Sequence, residues 1–284
     1  KYGTVKGDKI KVESGATAEV KIRITLSEAD KAYLDKSFEN GMYVEGFAKL
    51  SALDGTKYSL NVPFLAFYGD WMQAPTFDEE YFDTNKDELN AGIDENDKIQ
   101  EDAYATRAYG RIYSDYISTL GAYYFKQNPA SAQISADRNH VALSNQVATD
   151  NTSNYTICGI RNISAGLLRN VKKGYMTITD DATGKVVWSK EVNNQRKSFS
   201  SGSNIYGSSF DVEFNVDEEN LKNNTSYTFK LVTYIDYGTE AEQDKANVKN
   251  VYEFPFYVDF EAPVITGVKY RDEYDKYTKK HKLY

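Results

Sequence analysis

The chain has 284 residues, 40% apolar and 27% charged, a length suited to about two domains and a composition that excludes a disordered polymer. With 42 acidic against 34 basic residues the formal charge is −8, which argues against a nucleic-acid footprint and would help to keep a secreted module soluble. The single cysteine, Cys158, excludes an intrachain disulfide and a cysteine-based zinc site, so folding rests on packing.

No apolar run approaches the roughly 20 residues that span a bilayer, and 1–10 lacks the apolar core of a signal peptide. The absence of an initiating Met fits a fragment of a longer precursor. Tyr (24) and Phe (14) far outnumber Met (3), a vocabulary that suits pleated, half-buried surfaces. An all-β protein is expected.

In chain order, Lys9 to Glu13 alternates, and Ala18 to Leu26 alternates again with apolar residues at even positions, which predicts a half-buried strand. Ser27 caps a short helical segment reaching Phe38, and Asn40-Gly41 is a turn. Tyr43–Leu50 and Tyr58–Tyr68 read as a hairpin closed at Asp54-Gly55. Pro63 is expected to bulge the return strand or end its pairing.

From 74 to 128 the period is lost, and 78–102 is dense in acids and amides, the pattern of a long connector. Tyr104, Ala108, Ile112 and Tyr116 recur every four residues and predict a short helix, against which Gly110 counts. Strand signals return at Ile134, Val141–Leu143 and Asn154–Ile160. The hairpin Tyr175–Thr179 and Lys185–Ser189 follows, with a turn at Asp181-Ala182-Thr183-Gly184, and then Ser209–Phe214, Tyr227–Tyr234 and Val251–Val258. Strands at intervals of about ten residues predict a sandwich. Pro263 then stiffens the entry to a further element.

The run Asn61-Val62-Pro63-Phe64-Leu65-Ala66-Phe67-Tyr68-Gly69-Asp70-Trp71, with Gly41 to Phe47 before it, closely resembles the end of the fibronectin-like domain that follows the catalytic region of cell-envelope subtilisin-like proteases of the lactocepin kind. Asp137 to Ser144, Leu168 to Val171 and Asp180 to Trp188 are similar to the next fibronectin-like module of that family, although its usual Ser-Pro-Asn-Gly-Asp-like opening is replaced here.

The expected fold is thus a tandem of fibronectin type III-like, immunoglobulin-like β-sandwiches with an intervening irregular or helical segment. Residues 1–72 would close the first sandwich, 73–128 would form the interdomain segment, 129–260 the second sandwich, and 261–284 the start of a further module or a tail. The resemblance implies display outside the cell at the wall, and a monomer is expected. Its neighbour would be an upstream catalytic domain of the same chain, with protein substrate as a second partner at an exosite. The rival reading is a carbohydrate-binding or adhesive surface module with no protease attached.

The chemistry offers few sites. A subtilisin-type triad needs a serine, a histidine and an aspartate, in Asp-Ser/Thr-Gly, His-Gly-Thr-His and Gly-Thr-Ser-Met-Ala contexts, none of which occurs here. His140 and His281 are the two histidines, and a surface role is the simpler reading of each. Asp83, Asn85, Asp87 and Asp94 fall at positions 1, 3, 5 and 12 of a calcium-loop spacing. Glu88 stands where the turn glycine belongs, and a solvated acidic linker is the alternative reading. Trp71, Trp188, Tyr123 and Tyr124 fit either a sugar-stacking platform or packing, with Trp188 expected in a sandwich core. Four glycosylation-like sequons, at Asn151, Asn154, Asn162 and Asn224, read as polar loop residues. A basic cluster at Lys276–Lys282 reads as a solvated end or a contact for anionic polymer.

Overall fold

A computed structural model describes residues 9–53, 55, 59–78, 80–83, 105–112, 117–124, 134–146, 156–197, 208–217, 221–246, 250–262, 264, 266–267, 272–275 and 278–283. Two compact units divide the chain. One comprises 1–75 with 237–249, the other 76–236 with 250–284.

In the first unit, helix α1 (Glu28–Ser37) begins at a full capping box. The Ser27 hydroxyl accepts from the Asp30 amide while the Asp30 carboxylate accepts from the Ser27 amide. Gly41, at φ 78°, turns the chain into strand β1 (Met42–Leu50), which pairs antiparallel with β2 (Leu60–Tyr68). The register runs from Met42↔Tyr68 to Leu50↔Leu60 without a shift, straight through Pro63↔Phe47. The expected bulge at Pro63 is therefore absent. A two-stranded ribbon leaves each strand an open edge, and proline is tolerated where its missing N–H would face that edge.

Register puts Met42, Val44, Gly46, Ala48 and Leu50 on one face of the ribbon with Leu60, Val62, Phe64, Ala66 and Tyr68. Every member is apolar or aromatic, yet no described residue from 9 to 75 is buried. The predicted strand at 18–26 joins no ladder among the described residues, and Val20, Ile22 and Ile24 are 43%, 57% and 50% exposed. The expected half-buried strand is therefore not formed: alternation supplies an apolar face, but a strand also needs a ladder partner. The excursion from Tyr237 carries helix α2 (Glu240–Lys245), capped by Thr239 and Glu242 in the same reciprocal way. Gly238 lies against the Met72 sulfur.

The second unit holds the core. Its strands are β3 (Arg107–Ile112), β4 (Ile117–Thr119), β5 (Ala122–Tyr124), β6 (Ile134–Ala136), β7 (Ala142–Leu143), β8 (Ile157–Ala165), β9 (Val171–Asp180), β10 (Val186–Gln195), β11 (Ser208–Asn215), β12 (Thr225–Tyr234) and β13 (Val251–Val258). One sheet runs β10-β9-β12-β13-β7 and the other β11-β8-β3-β4, while β5 and β6 pair separately. All pairings are antiparallel except the short β13–β7 contact.

Burial alternates with period two along β9, β11, β12 and β13, as expected where one face of a sheet meets a core. Ile160, Ile163, Phe210 and Phe214 from one sheet join Met176, Ile178, Phe229, Leu231, Phe254 and Phe256 from the other in a single cluster. Phe214 meets Phe256 and Trp188 at ring-centroid distances of 6.4 and 5.7 Å. Trp188, half-buried, packs on the rim of this core. At the open side the Lys190 ammonium donates to the Asp211 carbonyl at 2.6 Å, which puts a charge on the outer strand β10 and discourages further strand addition.

Two sequence expectations are corrected here. The stretch 103–120 contains a strand, not a helix: a spacing of four satisfies a period of two as well as one of 3.6, and Ala108 and Ile112 both face the core of β3. Gly110 between them is required by close packing, since a Cβ there would lie 2.6 Å from both Ile157 and Leu120 side-chain atoms. The stretch 73–128 is therefore no simple connector. Phe77, Ala108 and Leu120 belong to the core cluster, and the compact unit starts at Thr76 instead of 129.

The β9–β10 turn forms as expected. The Asp180 carboxylate accepts from the amides of Ala182 and Thr183, both at 3.0 Å, and Gly184 takes φ 68°. Burial works to raise the Asp180 carboxyl, but the hydrogen bonds from Thr183 and Ala182 and the Lys222 charge prevail and hold it below its ordinary value. Beyond the core, β14 (Asp272–Asp275) and β15 (Lys280–Leu283) form a terminal hairpin with Glu273 opposite Lys282 and Asp275 opposite Lys280. Part of the basic cluster thus lies in a paired strand instead of a frayed end.

Candidate functional site

Among the described residues, those singled out by sequence do not gather into one site. His140 follows β6 and its ring lies 4.7 Å from that of Tyr123. His281 is in β15 against Tyr274 at 5.1 Å. The side chain of Tyr124 is outside the described residues, and Tyr123 meets His140 and not a second member of the aromatic set among the described residues. Asn162 donates to the Ser209 hydroxyl at 3.0 Å and Asn224 to the Glu261 carboxylate at 2.8 Å. Asn151 and Asn154 lie outside the described residues.

Of the calcium spacing, Asn85, Asp87 and Asp94 lie outside the described residues. Asp83 is described, and its carboxylate stands 3.5 Å from the Arg138 guanidinium. Among the described residues no group of three acidic, histidine or cysteine side chains is placed to hold a metal.

Arg138 is the hub of a polar cluster that sequence reasoning did not assign. Its guanidinium donates to the Glu80 carboxylate and to the Glu253 carbonyl, each at 2.7 Å, and lies over the Phe82 ring at 5.4 Å. Burial, aided by the charges of Asp83 and Glu253 and opposed by Arg138, raises the Glu80 carboxyl above its ordinary value. The Tyr81 amide donates to the Thr106 carbonyl at 2.9 Å. Tyr81 and Thr106, on either side of the acidic stretch, are thus tied together, while that stretch itself, 84–104, lies outside the described residues. Arg138 was visible in the sequence only as one letter of an irregular run, since its partners stand 58 and 115 residues away.

The first unit carries a different kind of site, built on the Gly69-Asp70-Trp71 run. Gly69 has φ 128°, and a Cβ on it would lie 2.9 Å from the Gly41 Cα. Two glycines thus let the end of β2 and the entry to β1 touch. The Trp71 ring closes edge-on against Phe67 at 4.8 Å and Tyr43 at 6.0 Å, arrangements favoured by ring quadrupoles. One oxygen of Asp70 accepts from the Met72 amide at 2.9 Å. Phe67, Gly69, Asp70, Trp71 and Tyr237 line a cleft of about 570 Å³. Trp71 was anticipated, but Tyr237 was not, because 166 residues separate the two (237 − 71) and no local pattern joins them.

No helix among the described residues is long and apolar enough to cross a membrane. No family model matches the chain. It is similar to the PII-type proteinase of Lactococcus lactis subsp. cremoris, with 24% identity over 270 residues, 92% of this chain and 12% of that protein. The PI-type proteinase of the same organism and the PII-type proteinase of Lacticaseibacillus paracasei are each 39% identical over 72 residues, 25% of this chain and 3% of theirs. The chain thus spans a small fraction of the length of these relatives.

Proposed function

We propose that the chain is a non-catalytic accessory region of a secreted, wall-associated, subtilisin-like serine endopeptidase. It positions a catalytic domain carried elsewhere in the same polypeptide and contacts protein substrate. The single observation that carries this reading is the likeness of 92% of the chain to part of a proteinase. A sandwich is a rigid scaffold whose end loops supply a contact surface, which suits this role.

Strand order supports a fibronectin type III-like assignment for the second unit. Taking β3, β8, β9, β10, β11, β12 and β13 as the seven strands in chain order, the first, second and fifth share one sheet and the others share the second, a partition of that architecture. The unburied apolar face of the first unit supports its reading as part of another such sandwich. The spacing of Asp83, Asn85, Asp87 and Asp94 supports calcium on the acidic stretch that starts at Asp83, where the ion would compete with Arg138 for the Asp83 carboxylate.

The test uses the purified chain, a serine-directed fluorophosphonate probe and casein. No labelled serine and no cleavage are expected. Covalent labelling at any serine would overturn the non-catalytic reading.

A further inference from the structure

We infer that the groove around Asp70, Trp71 and Tyr237 binds lysine or arginine side chains of an extended polypeptide; this rests on the substrate-contact role proposed above and names the class of segment taken. Two adjoining clefts of the first unit form the groove. The first is lined by Phe67, Gly69, Asp70, Trp71 and Tyr237. The second, of about 610 Å³, shares Phe67, Gly69 and Asp70 and adds Asp35 and Glu39. Each falls in the size range of ordinary ligand sites, and their continuity suits an extended chain.

Charge complementarity decides the occupant. Three carboxylates, Asp35, Glu39 and Asp70, line the groove, Asp35 also accepting from the Tyr68 hydroxyl, and among the described residues neither cleft has a lysine or arginine in its lining. Aromatic rings attract cations through their negative faces, and Tyr237 is 53% exposed beside Trp71. Rings and carboxylates together favour a long cationic side chain, whose methylenes pack on the rings while its head meets the carboxylates. The edge-on stack of Tyr43, Phe67 and Trp71 fixes the aromatic wall before any ligand arrives. The amide bond from Met72 likewise fixes the Asp70 carboxylate.

The test replaces Trp188 by Phe in the full 284-residue chain, leaving Trp71 as the one tryptophan. Its fluorescence is titrated with an acetylated, amidated Lys-Gly-Lys-Gly-Lys peptide, with the matching glutamate peptide, and with chitotetraose. A saturable change with the lysine peptide alone is expected, weakening as salt rises from about 50 to 300 mM because exposed charges are screened over a Debye length. Tyr237→Ala, at a surface position, is expected to keep the melting temperature and weaken binding about two- to fivefold. No saturable response to the lysine peptide, an equal response from the Tyr237→Ala chain, or a response to chitotetraose in its place would overturn the assignment. Such failure leaves the proteinase reading intact, whereas serine labelling sinks that reading and leaves the groove to stand on its own titration.

Discussion

Truncating Phe214 to alanine is the sharpest test of the two-sheet core. The ring is fully buried and sits between Trp188 on β10 and Phe256 on β13, so its removal leaves a void that both sheets would have to close. Large-to-small changes of this kind cost about 3–5 kcal/mol. For a unit of this size each kcal/mol lowers Tm by about 2–4 °C, giving a fall of about 6–20 °C. The assay is urea unfolding followed by Trp188 fluorescence in a Trp71→Phe background, with circular dichroism as a second probe. Phe47→Ala in the first unit is the control, because Phe47 is 63% exposed and a surface change is expected to stay within about 0.5 kcal/mol. A Phe214→Ala penalty below about 1 kcal/mol would refute the shared core.

Gly159→Ala is expected to destabilise the same unit by about 1–3 kcal/mol, since its Cβ would stand 2.0 Å from the Phe214 carbonyl oxygen; an unchanged urea midpoint would remove that contact from the account. Glu80 makes a pH prediction. Burial first, then neighbouring carboxylates, raise its carboxyl above the ordinary 4.5, so the folded state binds the proton more tightly than the unfolded state. Its contribution to stability is therefore fully present below the ordinary value and falls as pH rises through the raised one. Glu80→Gln should flatten that limb of the stability curve above the ordinary carboxyl value, and an identical slope in both proteins would refute it. Calcium at the loop after Asp83 should raise Tm in calcium buffer over chelator by mass action; coincident melts would discard the ion.

Much of the second unit was legible because its strands bury one face. From Val171 to Val258 the alternation of Met176, Ile178, Phe210, Val212, Phe214, Phe229, Leu231, Phe254 and Phe256 is the core itself. The capped helix after Ser27 and the turns at Gly41 and Gly184 were legible too, since each depends on local chemistry. Arg107–Ile112 was misread because a four-residue spacing serves helix and strand alike, and only the packing of Gly110 against Leu120 and Ile157 separates them. The 18–26 stretch shows the converse limit: it alternates as a half-buried strand would, yet it joins no ladder among the described residues and its apolar side chains stay exposed. The candidate sites were least legible. Glu80 with Arg138, and Trp71 with Tyr237, are brought together by the tertiary path of the chain, not by spacing.

The accessory role is tested most directly by comparing the full-length polypeptide with one lacking residues 1–284, each normalised to titrated active sites. One substrate is a short chromogenic peptide and the other intact casein. The expected result is an unchanged kcat/KM on the peptide and a loss of about tenfold or more on casein, the mark of binding energy drawn from a surface remote from the reacting bond. Unchanged kcat/KM on both substrates would contradict it.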